Sequence, residues 1–232
     1  TDGVESRLRD KGVDTARIVM LPNGVDTAMF HPDNSDLTVL RRIGFESTPF
    51  IIYAGTMGLA HGIDPLIEAM HILKDRPGMP TLLMLGNGSE RERLRLVADR
   101  LGLTNVAFVD PIPVEELAEL LPYAIAGVVT VAPIELNLSS RAAKLFPLMA
   151  AGLPVLHAGP GHGAEAVEAA DAGLAVDNNA RSIAAAIETI ASQPESRDRW
   201  GRNARKAVDP TWSWETLVSR WLDDVRTLTG HA

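Results

Sequence analysis

One stretch of the sequence, residues 127–167, constrains the fold more than any other part of the chain. It reads GVVTVAPIELNLSSRAAKLFPLMAAGLPVLHAGPGHGAEAV and combines two short apolar runs, a helical pattern between them and a glycine-rich turn. The pattern predicts a buried strand at 128–131, an irregular loop, a helix at 141–151, a second strand at 154–157 and a further helix. Such a βαβ unit gathers loops and helix N-termini at the carboxyl edge of a parallel sheet, where anions are favoured. The stretch therefore predicts a site for a phosphorylated ligand.

Further apolar runs indicate that this unit belongs to a larger sheet. Strands are predicted at 50–54, 81–85, 106–109 and 173–176, and helical patterns separate most of them. A continuously apolar run, such as the one at 50–54, is typical of a strand covered on both faces. The sequence therefore predicts an α/β fold with a parallel sheet.

The composition excludes several classes of protein. The chain has 232 residues, a net charge of −8 at pH 7 and no cysteine. The negative charge argues against general nucleic-acid binding, and the lack of cysteine excludes disulfides and thiolate metal sites. No apolar run approaches the ~20 residues of a membrane-spanning helix, and TDGVESRLRD is unlike a signal peptide. We therefore expect a cytoplasmic protein with no nucleic-acid partner and no transmembrane segment.

Five segments in a fixed order carry a resemblance to a known family. They are MLPNGVDTAMF at 20–30, IIYAGTMGLAHGIDPLIEAM at 51–70, LLMLGNGSERERL at 82–94, NVAFVDPIPVEELAELL at 105–121, and KLFPLMAAGLPVL with GPGHGAEAV at 144–167. Together they resemble glycosyltransferase family 4, also called glycosyl transferases group 1, which has the GT-B fold. Within it they are most similar to the subgroup that makes bacterial surface polysaccharides. The resemblance covers almost the whole chain.

The resemblance implies a fold and a domain organisation. A GT-B enzyme has two Rossmann-like domains, an N-terminal one for the acceptor and a C-terminal one for the nucleotide sugar. By this likeness, residues 1–48 form the inter-domain connection and the end of the acceptor domain, and residues 49–232 form the donor-binding domain with its C-terminal helices. The acceptor domain is then expected to be missing from this chain. The implied fold class is a Rossmann-like, doubly wound parallel sheet with helices on both faces.

The resemblance also implies an activity. The family member would move a hexose, with retention of configuration, from a UDP- or GDP-sugar to a glycan or lipid-linked acceptor. The nucleotide-diphosphate sugar is a substrate, and no cofactor or metal is expected beside it. We expect the donor half alone to be inactive, and the full-length enzyme to be cytoplasmic or peripheral at the inner membrane.

The loop after the predicted strand at 50–54 is the first candidate for a donor contact. Gly55, Thr56 and Gly58 lie at the carboxyl end of that strand, where parallel sheets bind ligands, although an ordinary strand-to-helix turn contains glycines too. In the family an arginine and a lysine of this loop grip the donor diphosphate, and the matching places here are Gly58 and His61. A neutral imidazole is a weaker anion ligand than lysine, and His61 fits a surface position equally well.

A second group of candidates follows the central strand of the 127–167 stretch. Cations and N–H groups stabilise the negative charge that develops on a leaving diphosphate, and Ser139, Ser140, Arg141 and Lys144 supply them. Arg141 and Lys144 are three residues apart and are expected on one face of the predicted helix. Lys144 matches a lysine in the "SK" segment of the surface-polysaccharide subgroup, so it is the best candidate for a diphosphate contact. The alternative is an ordinary surface lysine.

The sequence departs from the family at two acidic positions. Many members carry two glutamates in this motif, one binding the ribose and one lying near the donor sugar, and their places hold Pro147 and Ser139 here. Proline also tends to kink a helix interior. Glu135 is the candidate to replace one carboxylate, and together with Lys144 it forms the predicted catalytic set. A solvated acidic loop residue is the alternative for Glu135.

Two glycine-rich turns complete the predicted site. Gly86 and Asn87 follow the strand at 81–85 and are expected beside the nucleotide, although turn chemistry explains them as well. Gly161 opens the helix after 154–157, where N–H groups point toward a phosphate position. Glu165 matches a common family glutamate, and the helix dipole explains an acid there equally well.

No metal site is expected from the histidines near the second of these turns. His157 and His162 lack a neighbouring ligand cluster at a recognised spacing.

Two other functions compete with hexosyl transfer. One is a catalytically degenerate donor-binding or partner module, which the loss of both glutamates favours. The other is a nucleotide-sugar 2-epimerase of the same fold, which needs catalytic carboxylates and histidines that this sequence does not place.

Overall fold

The computed structural model describes residues 2–46, 49–139 and 141–229, and these are organised around one parallel sheet. In this part of the chain the sheet has six strands in the order β3-β2-β1-β4-β5-β6, and every neighbouring pair is parallel. This is the strand order of a doubly wound dinucleotide-binding fold. The strands are β1 Phe50–Ala54, β2 Thr81–Leu85, β3 Val106–Val109, β4 Ala126–Thr130, β5 Val155–Ala158 and β6 Gly173–Val176.

Helices connect the strands and cover both faces of the sheet. No helix within the described ranges combines the length and the apolar character needed to cross a bilayer. Single 3-10 turns lie at Thr15–Arg17, Leu59–His61 and Leu121–Tyr123. The α-helices are α1 Asp2–Asp10, α2 Thr38–Arg42, α3 Asp64–Leu73, α4 Arg91–Arg100, α5 Val114–Leu120, α6 Glu135–Leu138, α7 Leu145–Ala150, α8 His162–Ala169, α9 Ala180–Ser192, α10 Pro194–Val208 and α11 Trp214–Thr229.

Alternate residues of the central strands enter two separate hydrophobic clusters. In β1, Phe50 and Ile52 belong to one cluster, while Ile51 and Tyr53 belong to the other. Successive side chains of a strand point to opposite faces, so each cluster is one side of the sheet packed under its helices. All five residues of β1 are buried. The doubly wound α/β fold predicted from the sequence is confirmed.

The chain changes direction in the sheet between β1 and β4. Strands β1 to β3 are added on one side and β4 to β6 on the other, and β1 pairs with β4 at Ile51↔Ala126 and Ile52↔Gly127. The connections that leave β1 and β4 therefore diverge to opposite sides. This leaves a crevice at the carboxyl ends of the two strands, which is where open α/β sheets bind ligands.

The predicted strands at 50–54, 81–85, 106–109 and 173–176 are confirmed to the residue, and β4 and β5 differ from their predictions by one or two residues at each end. The predicted helix at 141–151 is wrong at its start, because α7 begins at Leu145 and the short helix α6 occupies the expected loop.

The position of Pro147 in α7 costs no helical hydrogen bond. Pro147 is the third residue of α7, where a backbone N–H has no intrahelical partner to lose.

The segment before the sheet is fastened to α10 and α11. Val25 forms a parallel bridge with Ser213, and the Arg205 Nη1 donates to the carbonyl oxygens of Thr27, Phe30 and Ala150 at 2.7 to 2.9 Å. One guanidinium thus joins the chain before β1, the C-terminal end of α7 and the helix α10.

Candidate functional site

The floor of the crevice is built from glycine loops in close contact. The loop after β2 packs against the loop after β1, and a Cβ on Gly86 would collide with the carbonyl oxygen of Gly55. Gly86 also has φ +135°, which side-chain-bearing residues rarely adopt. The Met57 N–H donates to the Asn87 carbonyl at 2.8 Å. The two loops therefore form one tight backbone surface at the carboxyl edge.

Lys144 lies in this crevice with its charge unpaired. Its Nζ is 3.7 Å from the centroid of the Tyr53 ring, and its Cε is 3.2 Å from where a Cβ on Gly55 would be. The Nζ is shielded from solvent and has no hydrogen-bond partner among the residues that the structure describes. Burial lowers the pKa of Lys144 to about 7. A dry ammonium without a counterion, beside an open backbone surface, is suited to receive an anion.

Tyr53 supports this arrangement from the end of β1. Its side chain is fully buried, and its hydroxyl donates to the Thr56 carbonyl at 2.7 Å. Burial raises the pKa of Tyr53, so the phenol stays neutral. The ring thus carries Lys144 on its face, while the hydroxyl fixes the loop that contains Gly55.

His61 is a neighbour of Lys144. It ends the single turn Leu59–His61 and is half-buried. Its pKa lies below the usual value, first because of burial and second because of the charge on Lys144. The imidazole is therefore neutral near pH 7, and it can offer an N–H to an anion that Lys144 attracts.

Two asparagines join the turn of His61 to the segment after β4. Asn137 Nδ2 donates to the carbonyls of Ala60 and Ala132, both at 2.8 Å. Asn178 Nδ2 donates to the carbonyls of Gly62 and Val131 at 2.9 and 3.0 Å. We call Asn137 and Asn178 the amide clamp. The clamp spans the point between β1 and β4 at which the crevice opens.

Three predicted donor residues lie on the loops as expected, but with different exposure. Gly86 is buried in the contact with Gly55, whereas Thr56 and Asn87 have exposed side chains. The Asn87 Oδ1 accepts the Gly88 N–H at 2.8 Å, which is local turn chemistry. Gly58 packs beside the His61 ring, with a Cβ position 3.6 Å from Nδ1. The structure thus brings Gly55, Gly58, His61 and Lys144 together.

Arg141 is not on one helix face with Lys144, contrary to the sequence-based expectation. Both residues precede α7, and the Arg141 guanidinium lies 4.9 Å from the centroid of the Trp212 ring. Trp212 packs with one hydrophobic cluster of the sheet and Tyr53 belongs to the other. The helical spacing does not apply because α7 begins only at Leu145.

Glu135 is directed to a partner outside the crevice. It is the first residue of α6, its side chain is 84% exposed, and its carboxylate forms an ion pair of 3.0 Å with Arg7. Ser139 follows α6, where Gly3 of α1 packs closely on it. Ser140 lies outside the described residues. The proposed replacement of a family carboxylate by Glu135 gains no support from this geometry.

The turn before α8 is close to the same edge of the sheet. Gly161 is the N-cap of α8 with φ +104°, and a Cβ on it would collide with the Asn137 carbonyl oxygen. Glu165 lies in the first turn of α8 with an exposed side chain, which suits the positive end of the helix dipole. His157 is buried in β5, and burial lowers its pKa to about 4. The structure thus places Gly161, but not the Glu165 carboxylate, against the clamp.

Tyr53, Asn137 and Asn178 were missed by the sequence reasoning. Tyr53 was read as one more apolar residue of a buried strand, and Asn178 follows the last strand without a glycine to draw attention. Their position in the chain could have identified Tyr53 and Asn178, since each lies at or just after the carboxyl end of a strand. Asn137 lies in a loop that was expected to be irregular, and its partners are distant in sequence.

Comparisons with known proteins agree on the family. The family model described as glycosyl transferases group 1 matches residues 40–207. A curated relative, the GDP-mannose-dependent alpha-(1-6)-phosphatidylinositol monomannoside mannosyltransferase of Mycobacterium tuberculosis, is 28% identical over 91% of this chain and 56% of its own length. The chain therefore spans about half the length of the curated relatives it matches.

Solved structures agree on the fold. A glycosyltransferase from Rickettsia africae superimposes with a TM-score of 0.84 at 18% identity, over 100% of this chain and 63% of its own. HepE from Anabaena, solved in complex with UDP-glucose, gives 0.78 at 18% identity, over 99% and 62% of the two chains. These likenesses extend to the whole sheet and its helices. Because the family model covers most of its length, the chain belongs to the family of glycosyl transferases group 1.

Proposed function

We propose that this chain binds a nucleoside diphosphate sugar in the crevice between β1 and β4, as the donor-binding part of a retaining hexosyltransferase. The observation that carries the proposal is the unpaired, dry Nζ of Lys144 on the Tyr53 ring beside Gly55. A diphosphate supplies the missing counterion. The glycine loops supply a surface that a ligand can approach closely.

Lys144 stabilises the transition state of such a transfer more strongly than the bound substrate. As the bond between the anomeric carbon and the diphosphate oxygen breaks, negative charge builds up on the leaving group. An ammonium held in a dry cleft stabilises this charge more strongly than one in water. Because the pKa of Lys144 is about 7 without ligand, binding an anion raises it and draws a proton from solvent. His61, which stays neutral, donates an N–H to the same group.

The relatives support a nucleotide sugar as donor and leave its base open. One group is named GDP-mannose-dependent, and HepE was solved with UDP-glucose. We infer that the donor is a UDP- or GDP-hexose and that the acceptor is a glycan or lipid-linked sugar, since the mycobacterial relative is named for a phosphatidylinositol monomannoside acceptor.

We also propose a two-domain organisation and a location at the membrane. Residues 1–48 would form the connection to an acceptor-binding domain, and residues 49–232 the donor-binding domain. We infer a second domain because the relatives are almost twice as long as the matched part. A place at the cytoplasmic side of the membrane fits the lipid acceptor in the name of that relative.

Calorimetric titration of the chain with UDP, GDP, UDP-glucose and GDP-mannose tests the proposal. We expect saturable binding of the nucleotides of one base, and uptake of close to one proton per ligand at pH 8, because a lysine with a pKa near 7 is mostly neutral there. Repeating the titration in two buffers of different ionisation enthalpy measures the proton uptake.

The matched control is Lys206→Met, which removes an exposed lysine of α10. Lys144→Met should abolish the proton uptake and weaken binding, whereas Lys206→Met should change neither. If the proton uptake persists in Lys144→Met, or if none of the four ligands binds to the unmodified chain, the proposed donor site is wrong.

A further inference from the structure

The amide clamp is built from donors that do not serve regular secondary structure. Each of its two side-chain amides donates to two carbonyls, one on the turn at 60–62 and one on the segment 131–132. The Ala132 N–H adds a fifth bond to the Ala60 carbonyl at 3.0 Å. Five hydrogen bonds thus join two short irregular segments that leave neighbouring strands.

Within the part of the chain that the structure describes, the clamp leaves a buried polar atom without a partner, which apolar packing of the turn would avoid. The Asn178 Oδ1 is buried and has no hydrogen-bond partner among the described residues, so the amide is oriented entirely for its donors. Gly62 has φ +57°, and a Cβ on it would lie 2.7 Å from Asn178 Nδ2 and 3.0 Å from the Ala132 Cα. The turn therefore fits against the clamp only with glycine at this position.

The turn that the clamp holds carries His61. His61 lies between the two clamped carbonyls, those of Ala60 and Gly62, and Lys144 is the charged side chain whose field acts on it. A ligand between His61 and Lys144 needs both at a fixed separation. No residue of the Leu59–His61 turn is fully buried, so the turn has little packing of its own.

We propose that Asn137 and Asn178 are positioning residues that hold the His61 turn closed across the crevice, so that His61 and Lys144 address the same anionic group of the ligand. The inference rests on the proposed function for the identity of that ligand. The inference extends the proposed function, because it assigns a positioning role to two residues that do not touch the ligand. The clamp acts through backbone carbonyls, so its loss moves His61 without removing any ligand-binding side chain.

The chain offers a matched control in Asn105. Its Nδ2 donates to the Met70 carbonyl at 2.9 Å, and its Oδ1 is also buried without a partner among the described residues. It precedes β3 at the amino end of that strand, on the edge of the sheet opposite the crevice. Asn105→Ala therefore reproduces the loss of a buried amide without touching the His61 turn.

The experiment compares Asn137→Ala, Asn178→Ala and Asn105→Ala by two measurements. The first is the imidazole titration of His61 followed by NMR without ligand. In the two clamp variants we expect the His61 pKa to rise toward its ordinary value as the turn opens and the ring becomes hydrated. The second is the dissociation constant of the nucleotide that the unmodified chain binds, which should increase about tenfold in the clamp variants and little in Asn105→Ala.

Asn178→Asp keeps the shape of the side chain and removes its donors, so it replaces Asn178→Ala if the alanine variant does not fold. A His61 titration in the clamp variants that matches Asn105→Ala would overturn the proposal, and so would unchanged nucleotide affinity. If the unmodified chain binds no nucleotide, the proposed function fails. The His61 titration then decides whether the clamp positions the turn.

Discussion

Two partly buried cations, Arg205 and Lys144, lie at opposite edges of the sheet, and they differ in what surrounds them. At the amino edge, Arg205 donates to three carbonyls and forms an ion pair of 3.0 Å with Asp209. At the carboxyl edge, the Nζ of Lys144 meets the Tyr53 ring and no acceptor within the described part of the chain. A cation that serves the fold is satisfied by the fold. A cation left unsatisfied at a ligand-binding edge indicates a ligand.

Cavity size alone does not distinguish the satisfied Arg205 from the unpaired Lys144. A groove of about 720 Å³ at the amino edge is lined by Arg205 together with Arg197. Arg197 donates to the carbonyls of Ile190 and Ala191 at the end of α9. Both arginines donate to backbone carbonyls of the segment before the sheet or of helix ends, so they do not indicate that the groove binds a ligand. The crevice at Lys144, in contrast, contains a buried amine that has no hydrogen-bond partner in the described part of the chain.

The largest expected effect in this comparison is on stability. Arg205→Ala should lower the free energy of unfolding by about 3 kcal/mol, because it leaves the carbonyls of Thr27, Phe30 and Ala150 without their donor. Urea denaturation followed by circular dichroism measures the loss. Arg202→Ala, an exposed arginine of the same helix, is the control and should cost less than about 0.5 kcal/mol. Equal losses in both variants would contradict the structural role of Arg205.

Lys144→Met should have the opposite profile. We expect nucleotide affinity to fall by about 10- to 100-fold, the effect of losing one charge-assisted contact of about 1.5 to 3 kcal/mol. At pH 7 the variant should be at least as stable as the unmodified chain, because removing a dry, unpaired amine with a depressed pKa outweighs the lost contact with the Tyr53 ring. Calorimetry and urea denaturation on the same protein measure both values. A large loss of stability would show that Lys144 is a structural cation like Arg205.

The fold could be predicted well because its signal is local. The strand at 50–54 is continuously apolar and buried over its whole length, so its bounds follow from the sequence alone. The start of α7 could not be predicted in the same way. Helical spacing continues backward from Leu145 through Arg141, but the chain before Leu145 follows contacts with Tyr53 and Trp212 instead. Those contacts depend on tertiary packing.

Some residues of the candidate site could be predicted from the sequence and others could not, and the reason is physical. Lys144 and the glycine loops were predicted because their residue types suit a diphosphate and their strands place them at one edge. The amide clamp was not, because Asn137 is 77 residues from Ala60 and Asn178 is 116 residues from Gly62. A pair of hydrogen bonds between such distant irregular segments leaves no periodic pattern in the sequence.

The unpaired charge on Lys144 should also make stability depend on pH. The pKa of Lys144 is about 7 when folded and ordinary, near 10.5, when unfolded, so the unfolded chain binds more protons between these values and stability rises with pH. The contribution should be about 1 kcal/mol between pH 7 and pH 8. The difference in unfolding free energy between the unmodified chain and Lys144→Met isolates it from other groups. A difference that stays constant with pH would mean that Lys144 is hydrated.

The smallest expected effect separates Arg141 from Lys144. Arg141 also has a buried Nε without a partner in the described ranges, but it lines a cavity of only about 90 Å³ with apolar neighbours and the Trp212 ring. Such a cavity is too small for a nucleotide, since ligand sites usually measure about 300 to 1,000 Å³. Arg141→Met should therefore cost about 0.5 kcal/mol of stability through the lost contact with Trp212 and should change nucleotide affinity by less than about twofold. If Arg141→Met instead weakens binding as much as Lys144→Met, the segment before α7 rearranges around the ligand, and both cations belong to the donor site.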